Sequence, residues 1–176
     1  MIKKSGFEDF IDIIEELTFV LTVNLKGCAD FSSVQKAMDA VPNLSPTRTL
    51  IIVDSGTYRE KVTNDTANST GGTPFSYTIA ILSTNFVTYN ISFQNTAPPL
   101  SPSAIGAQAV ALSILDDKAA FYGCGFYEAH DALNDDSGRH YFKECFIQGS
   151  INLIFGNGRS LYKDWVINSI AKEVSI

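Results

Sequence analysis

Three cysteines, Cys28, Cys124 and Cys145, are the residues of this 176-residue chain best suited to redox or metal chemistry, and their spacing argues against it. No CxxC pair and no Cys/His cluster at zinc-ligand spacing is present, and three thiols do not make a disulfide scaffold. A buried, inert stack is the expected use of Cys124 and Cys145, with a functional thiol as the alternative. The run Asp135-Asp136-Ser-Gly-Arg139 has the composition of a solvated turn more than of a metal loop. His130 reads either as a polar loop residue or as a hydrogen-bond donor whose charge varies with pH. Thr73, just after Gly71-Gly72, carries a hydroxyl able to stabilise a turn. These residues call for no metal and no cofactor.

Composition narrows the class of partner. Hydrophobic residues make up 45% of the chain, enough for one domain with a sizeable core. Thirteen basic residues against 19 acidic ones give a net charge of -6, and no basic run is interleaved with aromatics, so nucleic acid is excluded as an expected partner. That balance gives no attraction to a polyanion but does not oppose a neutral polymer. The apolar runs fall short of the ~20 residues that cross a bilayer, so no membrane span is expected. Glu8, Asp9, Asp12, Glu15 and Glu16 interrupt the stretch where a secretory leader would lie, so no signal peptide is read there. Against this stand sequons at Asn43, Asn64, Asn68 and Asn90, the first a poor acceptor because Pro46 follows it; they read either as chance in a chain rich in Asn, Ser and Thr or as a mark of secretion.

The elements that would position any site fall into two groups. Apolar spacing predicts an amphipathic helix over Phe7 to Leu17, a strand over Phe19 to Asn24, a turn at Lys26-Gly27, and a second helix from Phe31 to Ala40 stopped by Pro42. Thr49 to Val53 reads as a strand, and Gly56 to Val62 as a turn into another. Beyond these, short strands alternate with Gly, Asn, Asp and Ser. Phe121-Tyr-Gly-Cys-Gly-Phe126, Phe142-Lys-Glu-Cys-Phe-Ile147 and Tyr162-Lys-Asp-Trp-Val-Ile167 superpose at offsets of 21 and 20 residues, aromatic first, apolar or Cys fourth and apolar sixth, and Thr88 to Phe93 fits the last two of those positions 33 residues upstream. A repeat near twenty residues with several strands per repeat predicts an all-β parallel β-helix whose coils stack at about 4.8 Å, with Cys124, Cys145 and Trp165 in one inward ladder. A β-sandwich is the alternative fold. The early helices would cap the first coil. Tyr58, Phe75, Phe121, Phe126, Phe142, Phe146 and Phe155 are expected to pack in the core.

The segment from Lys118 to Tyr162, KAAFYGCGFYEAHDALNDDSGRHYFKECFIQGSINLIFGNGRSLY, resembles the signature region of plant pectin methylesterases. So do GTYREKV at Gly56 to Val62, NDTANSTGGT at Asn64 to Thr73, YNISFQNTAP at Tyr89 to Pro98 and GAQAVAL at Gly106 to Leu112. The resemblance implies a right-handed parallel β-helix over residues 23–176, preceded by an extension and capping helix over 1–22. It also implies a metal-free carboxylate esterase acting on methyl-esterified homogalacturonan in the plant cell wall, hence a secreted protein. In that family one aspartate attacks the ester, a second protonates departing methanol and later activates water, and glutamine amides hold the oxyanion, a logic that needs two carboxyls in different environments.

Carried onto this chain, Asp131 takes the proton-donor position and Gln108 that of an oxyanion glutamine in the substrate cleft. Thr73 takes a substrate-contacting position. His130 replaces the second glutamine, and Asn152 stands where the family has its nucleophilic aspartate. An amide is a very poor nucleophile, so low or lost activity is expected. Between Val62 and Asn64 about one coil of the family pattern is missing, and the chain reaches Ile176 before the family's Gly-Arg-Pro-Trp region, which predicts an uncapped last coil and self-association. The alternatives are a noncatalytic pectin-binding or non-functional truncated relative and, more remotely, a lyase or hydrolase on the same architecture.

Overall fold

The computed structural model describes residues 17–42, 47–64, 77–96 and 110–171, so the helix expected over Phe7 to Leu17 lies outside the described residues except for Leu17 itself. The chain divides into two compact units, residues 1–60 and 61–176.

In the first unit, β1 (Leu17–Val23) pairs in parallel with β2 (Arg48–Val53), and α1 (Val34–Asp39) lies between them in sequence. The helix is shorter than its apolar spacing predicts because Phe31 is taken up in a bridge with Val23 and Ser33 becomes the N-cap, its hydroxyl accepting from the Lys36 N–H at 3.2 Å. The Glu60 carboxylate accepts from the Val34 and Gln35 N–H groups at 3.1 and 3.0 Å and from the Ser33 hydroxyl at 2.8 Å. First-turn donors with no intrahelical partner are thereby satisfied by a charge of the favourable sign. Tyr58 is half-buried, and its hydroxyl donates to the Asp54 and Val23 carbonyls at 3.1 and 3.3 Å, which makes it a polar anchor as well as a packing residue.

The second unit is a parallel β-helix. Its strands are β3 (Val62–Asn64), β4 (Ile79–Ile81), β5 (Val87–Tyr89), β6 (Ser92–Gln94), β7 (Leu112–Ile114), β8 (Ala119–Tyr122), β9 (Gly125–Tyr127), β10 (Leu133–Asp135), β11 (Arg139–Lys143), β12 (Phe146–Gly149), β13 (Ile154–Phe155), β14 (Arg159–Lys163) and β15 (Val166–Ser169). The first sheet runs β3-β4-β7-β10-β13, the second β5-β8-β11-β14 and the third β6-β9-β12-β15, every pairing parallel. Among the described residues each coil gives one strand to each sheet, and the first sheet has one strand more, β3 paired with β4.

The sequence offsets are the coil lengths. Thr88 pairs with Phe121, Phe121 with Phe142, and Phe142 with Tyr162; Phe93 pairs with Phe126, Phe126 with Ile147, and Ile147 with Ile167. Paired residues on adjacent parallel rungs point to the same face, so period-2 alternation along each strand builds inward stacks from coil to coil. Phe121, Phe126 and Phe142 are fully buried, and Phe142 stacks between Phe121 and Tyr162 at 4.9 Å on either side. Each such ring removed from water contributes about 1.5–3 kcal/mol.

Cys124 and Cys145 occupy the next inward ladder with Trp165, whose ring stacks on Phe126 at 5.7 Å. The hydrogen bond with Cys145, and then burial, push the Cys124 thiol up, away from reactive thiolate character. The same alternation corrects two aromatic expectations. Ile154 takes the inward place opposite Leu133, so Phe155 turns out and is 37% exposed. Ile147 is the buried residue of its strand, leaving Phe146 outside against Tyr127 at 5.4 Å.

The coils turn from second to third sheet through one left-handed residue each: Asn90, Gly123, Glu144 and Asp164, at φ 55°, 61°, 55° and 56°. They follow successive strands of one register, so the corner recurs rung after rung. Asn and Asp tolerate this conformation better than other residues with a side chain. At the far end β13, β14 and β15 are edge strands, and Leu161, Val166 and Ile167 are 61%, 59% and 62% exposed.

Candidate functional site

The chain passes from the third sheet back to the first through residues 128–132, and here His130 and Asp131 come level with Ile151 and Asn152 of the next coil. His130 bridges to Ile151, the Asp131 N–H donates to the Ile151 carbonyl at 3.1 Å, and Leu133 pairs with both Leu112 and Ile154. Counting back two residues along that register places Asp131 between Val110 and Asn152 on neighbouring rungs, about 4.8 Å apart. Both positions are left-handed, Asp131 at φ 63° and Asn152 at φ 48°. Asp131 is buried, His130 half-buried and Asn152 exposed. Ser150 pins the turn to the next coil, its N–H and hydroxyl both donating to the Ala129 carbonyl at 2.8 and 2.6 Å. Thr73 and Gln108 lie outside the described residues.

One residue of this turn escaped the sequence reading. Glu128 is only 9% exposed, and its Oε1 accepts from the Ala129 N–H at 2.7 Å. Burial pushes its carboxyl up; the Ala129 and His130 backbone groups and the His130 ring oppose that, and Asp131 adds to it. Its Oε2 is enclosed without a hydrogen-bond partner. An acid between Tyr127 and Ala129 was a signal, but only the coil geometry reveals that it is buried.

On the other side of β10 the expected solvated turn is corrected. Asp135 and His140 are each 4% exposed, because Asp135 is the inward residue at the end of β10 and meets His140 across the turn. His140 Nδ1 bonds to Asp135 Oδ1, His140 Nε2 lies 2.7 Å from the Asp116 carbonyl, and the Tyr162 hydroxyl donates to Asp135 Oδ2. Both ring nitrogens face acceptors, an arrangement that favours the doubly protonated ring. Burial opposes that charge, but the Asp135 and Asp116 acceptors outweigh it and hold His140 above its ordinary value near 6.5. For Asp135 burial is likewise outweighed, by His140, Ser160 and Tyr162, and its carboxyl is held below 3.8. The next coil passes over this carboxylate by way of Gly156, at φ 122°, and Gly158; a Cβ on them would come within 2.0 Å of the Asp135 carbonyl and 2.2 Å of its Oδ1. Asp136, Ser137 and Arg139 keep the partly or fully exposed character expected of a turn.

Among the described residues no group of three or more His, Cys, Asp or Glu side chains is placed to hold a metal ion. What the corner offers is two buried carboxyls in one turn and an exposed amide on the next rung, the group types that serve in proton transfer and hydrogen-bond donation.

Comparison with known proteins gives this corner its family context. The family model for pectinesterases matches residues 64–173, more than half of the chain. The chain is 49% identical to pectinesterase 14 of Arabidopsis thaliana over 90% of its own length and 54% of that protein's. It is 46% identical to pectinesterase 8 of the same plant over 91% of its own length and 46% of that protein's. Among solved structures, pectin methylesterase from carrot superposes with a TM-score of 0.74 at 32% identity, over 84% of this chain and 51% of that one. The chain belongs to the pectinesterase family, and it spans about half the length of the curated relatives it matches.

Proposed function

We propose that this chain acts on methyl-esterified pectin as an ester hydrolase, releasing methanol in the plant cell wall, with Asp131 as its proton-transfer residue. The observation that carries the proposal is the stacking of Asp131 and Asn152 on neighbouring left-handed rungs inside the segment matched by the family model. Family membership and the superposition on pectin methylesterase from carrot support the substrate class.

Asn152 forms no acyl-enzyme, so the route left to this site is direct attack by water. The water oxygen adds to the ester carbonyl carbon and its proton passes to Asp131. The bond to the methoxy oxygen then breaks, and that oxygen takes the proton back, leaving a free carboxyl and methanol. The Asn152 amide is a donor able to steady the developing oxyanion, and His130 is a second one. Without a covalent intermediate, turnover should fall on the order of a thousandfold below that of a two-carboxylate relative.

Methanol release from highly methylated pectin by the folded protein tests the proposal. Release that drops about 10²–10⁴-fold in Asp131→Ala supports it. A folded protein that retains pectin on an affinity gel but releases no methanol is the second reading, a noncatalytic pectin binder, which the amide at position 152 favours.

A further inference from the structure

The sequon Asn90-Ile91-Ser92 takes no part in the proposed reaction, and the fold places it at the corner between the second and third sheets. β5 ends at Tyr89 and β6 begins at Ser92, so Asn90 and Ile91 are the whole of the connection. Asn90 adopts the left-handed conformation at φ 55°, which its residue type tolerates, and its N–H donates to the Tyr122 carbonyl of the next coil at 2.9 Å. Ile91 packs against the core, while Asn90 and Ser92 are both exposed. Among the described residues neither the Asn90 amide nor the Ser92 hydroxyl makes a side-chain hydrogen bond. By contrast, the amides of Asn24, Asn95, Asn134 and Asn168 donate within the fold, to Asp54, Val110, Ser113 and Gln148. The Asn90 amide is also oriented. A Cβ on Gly123, the next corner residue, would lie 2.5 Å from Asn90 Oδ1 and 3.6 Å from the amide carbon, with Nδ2 further off, so the nitrogen is the end turned away from the next coil.

We propose that Asn90 is a site of N-linked glycosylation, the sugar coming from a lipid-diphosphate-linked oligosaccharide. In the transfer Nδ2 bonds to the anomeric carbon of the donor sugar and gives up one proton, while the bond from that carbon to the pyrophosphate oxygen breaks and the pyrophosphate leaves with the electron pair. The acceptor chemistry asks for an asparagine amide and a hydroxyl two residues on, and here both stand in solvent on a tight surface turn. The surroundings suit the product. Tyr89 is 44% exposed and stacks on Tyr122 at 4.8 Å, and Val87, on the same face of β5, is 45% exposed. An apolar ledge therefore lies beside Asn90, on which the first sugar ring can rest. Asp131 belongs to the other corner, between the third and first sheets, so the glycan is attached away from the candidate site. Of the remaining sequons, Asn64 closes β3 with its backbone paired to Ile81, and Asn43 and Asn68 lie outside the described residues. The proposal rests on the cell-wall reading above, because the donor belongs to the secretory pathway, and it needs no esterase activity.

The whole chain, expressed in plant cells behind a cleavable secretory leader, provides the test. The peptide containing Asn90 is read by mass spectrometry before and after treatment with peptide N-glycosidase in heavy-oxygen water, which turns a glycosylated asparagine into a labelled aspartate. The expected result is labelled aspartate at position 90, lost in Ser92→Ala, which keeps the asparagine, and retained in Ser92→Thr. Leader-processed protein whose Asn90 peptide is unmodified would overturn the proposal, whatever is found at Asn64 and Asn68, and it can be read from the medium or from inside the cell. Label at position 90 that persists in Ser92→Ala would overturn it too, since it would report deamidation only. Methanol release by the same preparation is a separate readout that Asn90→Gln should leave unchanged. A glycosylated protein that releases no methanol would sink the esterase reading and leave the glycan at Asn90 standing.

Discussion

Glu128 precedes β10 and Asp135 ends it, both buried and both acidic, yet their surroundings differ in kind. Asp135 binds His140 through one oxygen and Tyr162 through the other, and His140 reaches back to the Asp116 carbonyl, so three successive coils are joined through one charge pair. Glu128 has one oxygen bonded to its neighbour's backbone and the other to nothing. An unmet buried polar atom costs about 1–3 kcal/mol, and a fold does not need it for stability. The lesson of the pair is that burial alone does not mark a functional acid. Completeness of hydrogen bonding separates the two: Asp135 is tied on both oxygens, Glu128 on one.

The comparison breaks most visibly at the fastener. Asp135→Asn leaves the His140 imidazolium buried without its counter-charge and should lose about 3–5 kcal/mol in urea unfolding. A loss below about 1 kcal/mol would mean that the cluster does not tie the coils together. Gly156→Ala should lose about 1–3 kcal/mol, because φ 122° strains any side chain and the Cβ would meet the Asp135 carbonyl. Stability identical to the unsubstituted protein would show that the coil crosses Asp135 with room to spare.

The pH dependence of unfolding sharpens the contrast further. His140, raised in the folded state, contributes stability that is full below its ordinary 6.5 and is lost as pH rises through its folded value. Asp135, depressed in the folded state, contributes stability present above its ordinary 3.8 and lost as pH falls through its folded value. Urea midpoints should therefore plateau between those ordinary values and decline on both sides, and the alkaline decline should flatten in Asp135→Asn.

The solenoid was legible because a parallel β-helix repeats its own length: Phe121, Phe142 and Tyr162 betray the coil by spacing alone, and the register follows. Inward alternation of Cys124, Cys145 and Trp165 came with it. Asp131 and Asn152 were found through family motifs, and their meeting on adjacent rungs needs only that register. What could not be read was partnership. Asp135 in an acidic run looks solvated until His140 and Tyr162 are seen to close on it, and Glu128 looks like an ordinary surface acid until its turn folds under the next coil. Phe155 was misplaced for a related reason, since a two-residue strand carries too little alternation to show which residue faces in.

The smallest expected effect is also the sharpest test. Glu128→Gln should leave the urea unfolding free energy at neutral pH within about 0.5 kcal/mol of the unsubstituted protein or raise it, because the amide oxygen can keep the Ala129 N–H bond and the other carboxyl oxygen has no hydrogen-bond partner to lose. A loss of stability comparable to that of Asp135→Asn would show that Glu128 is a second fastener, and the distinction between the two acids would fall.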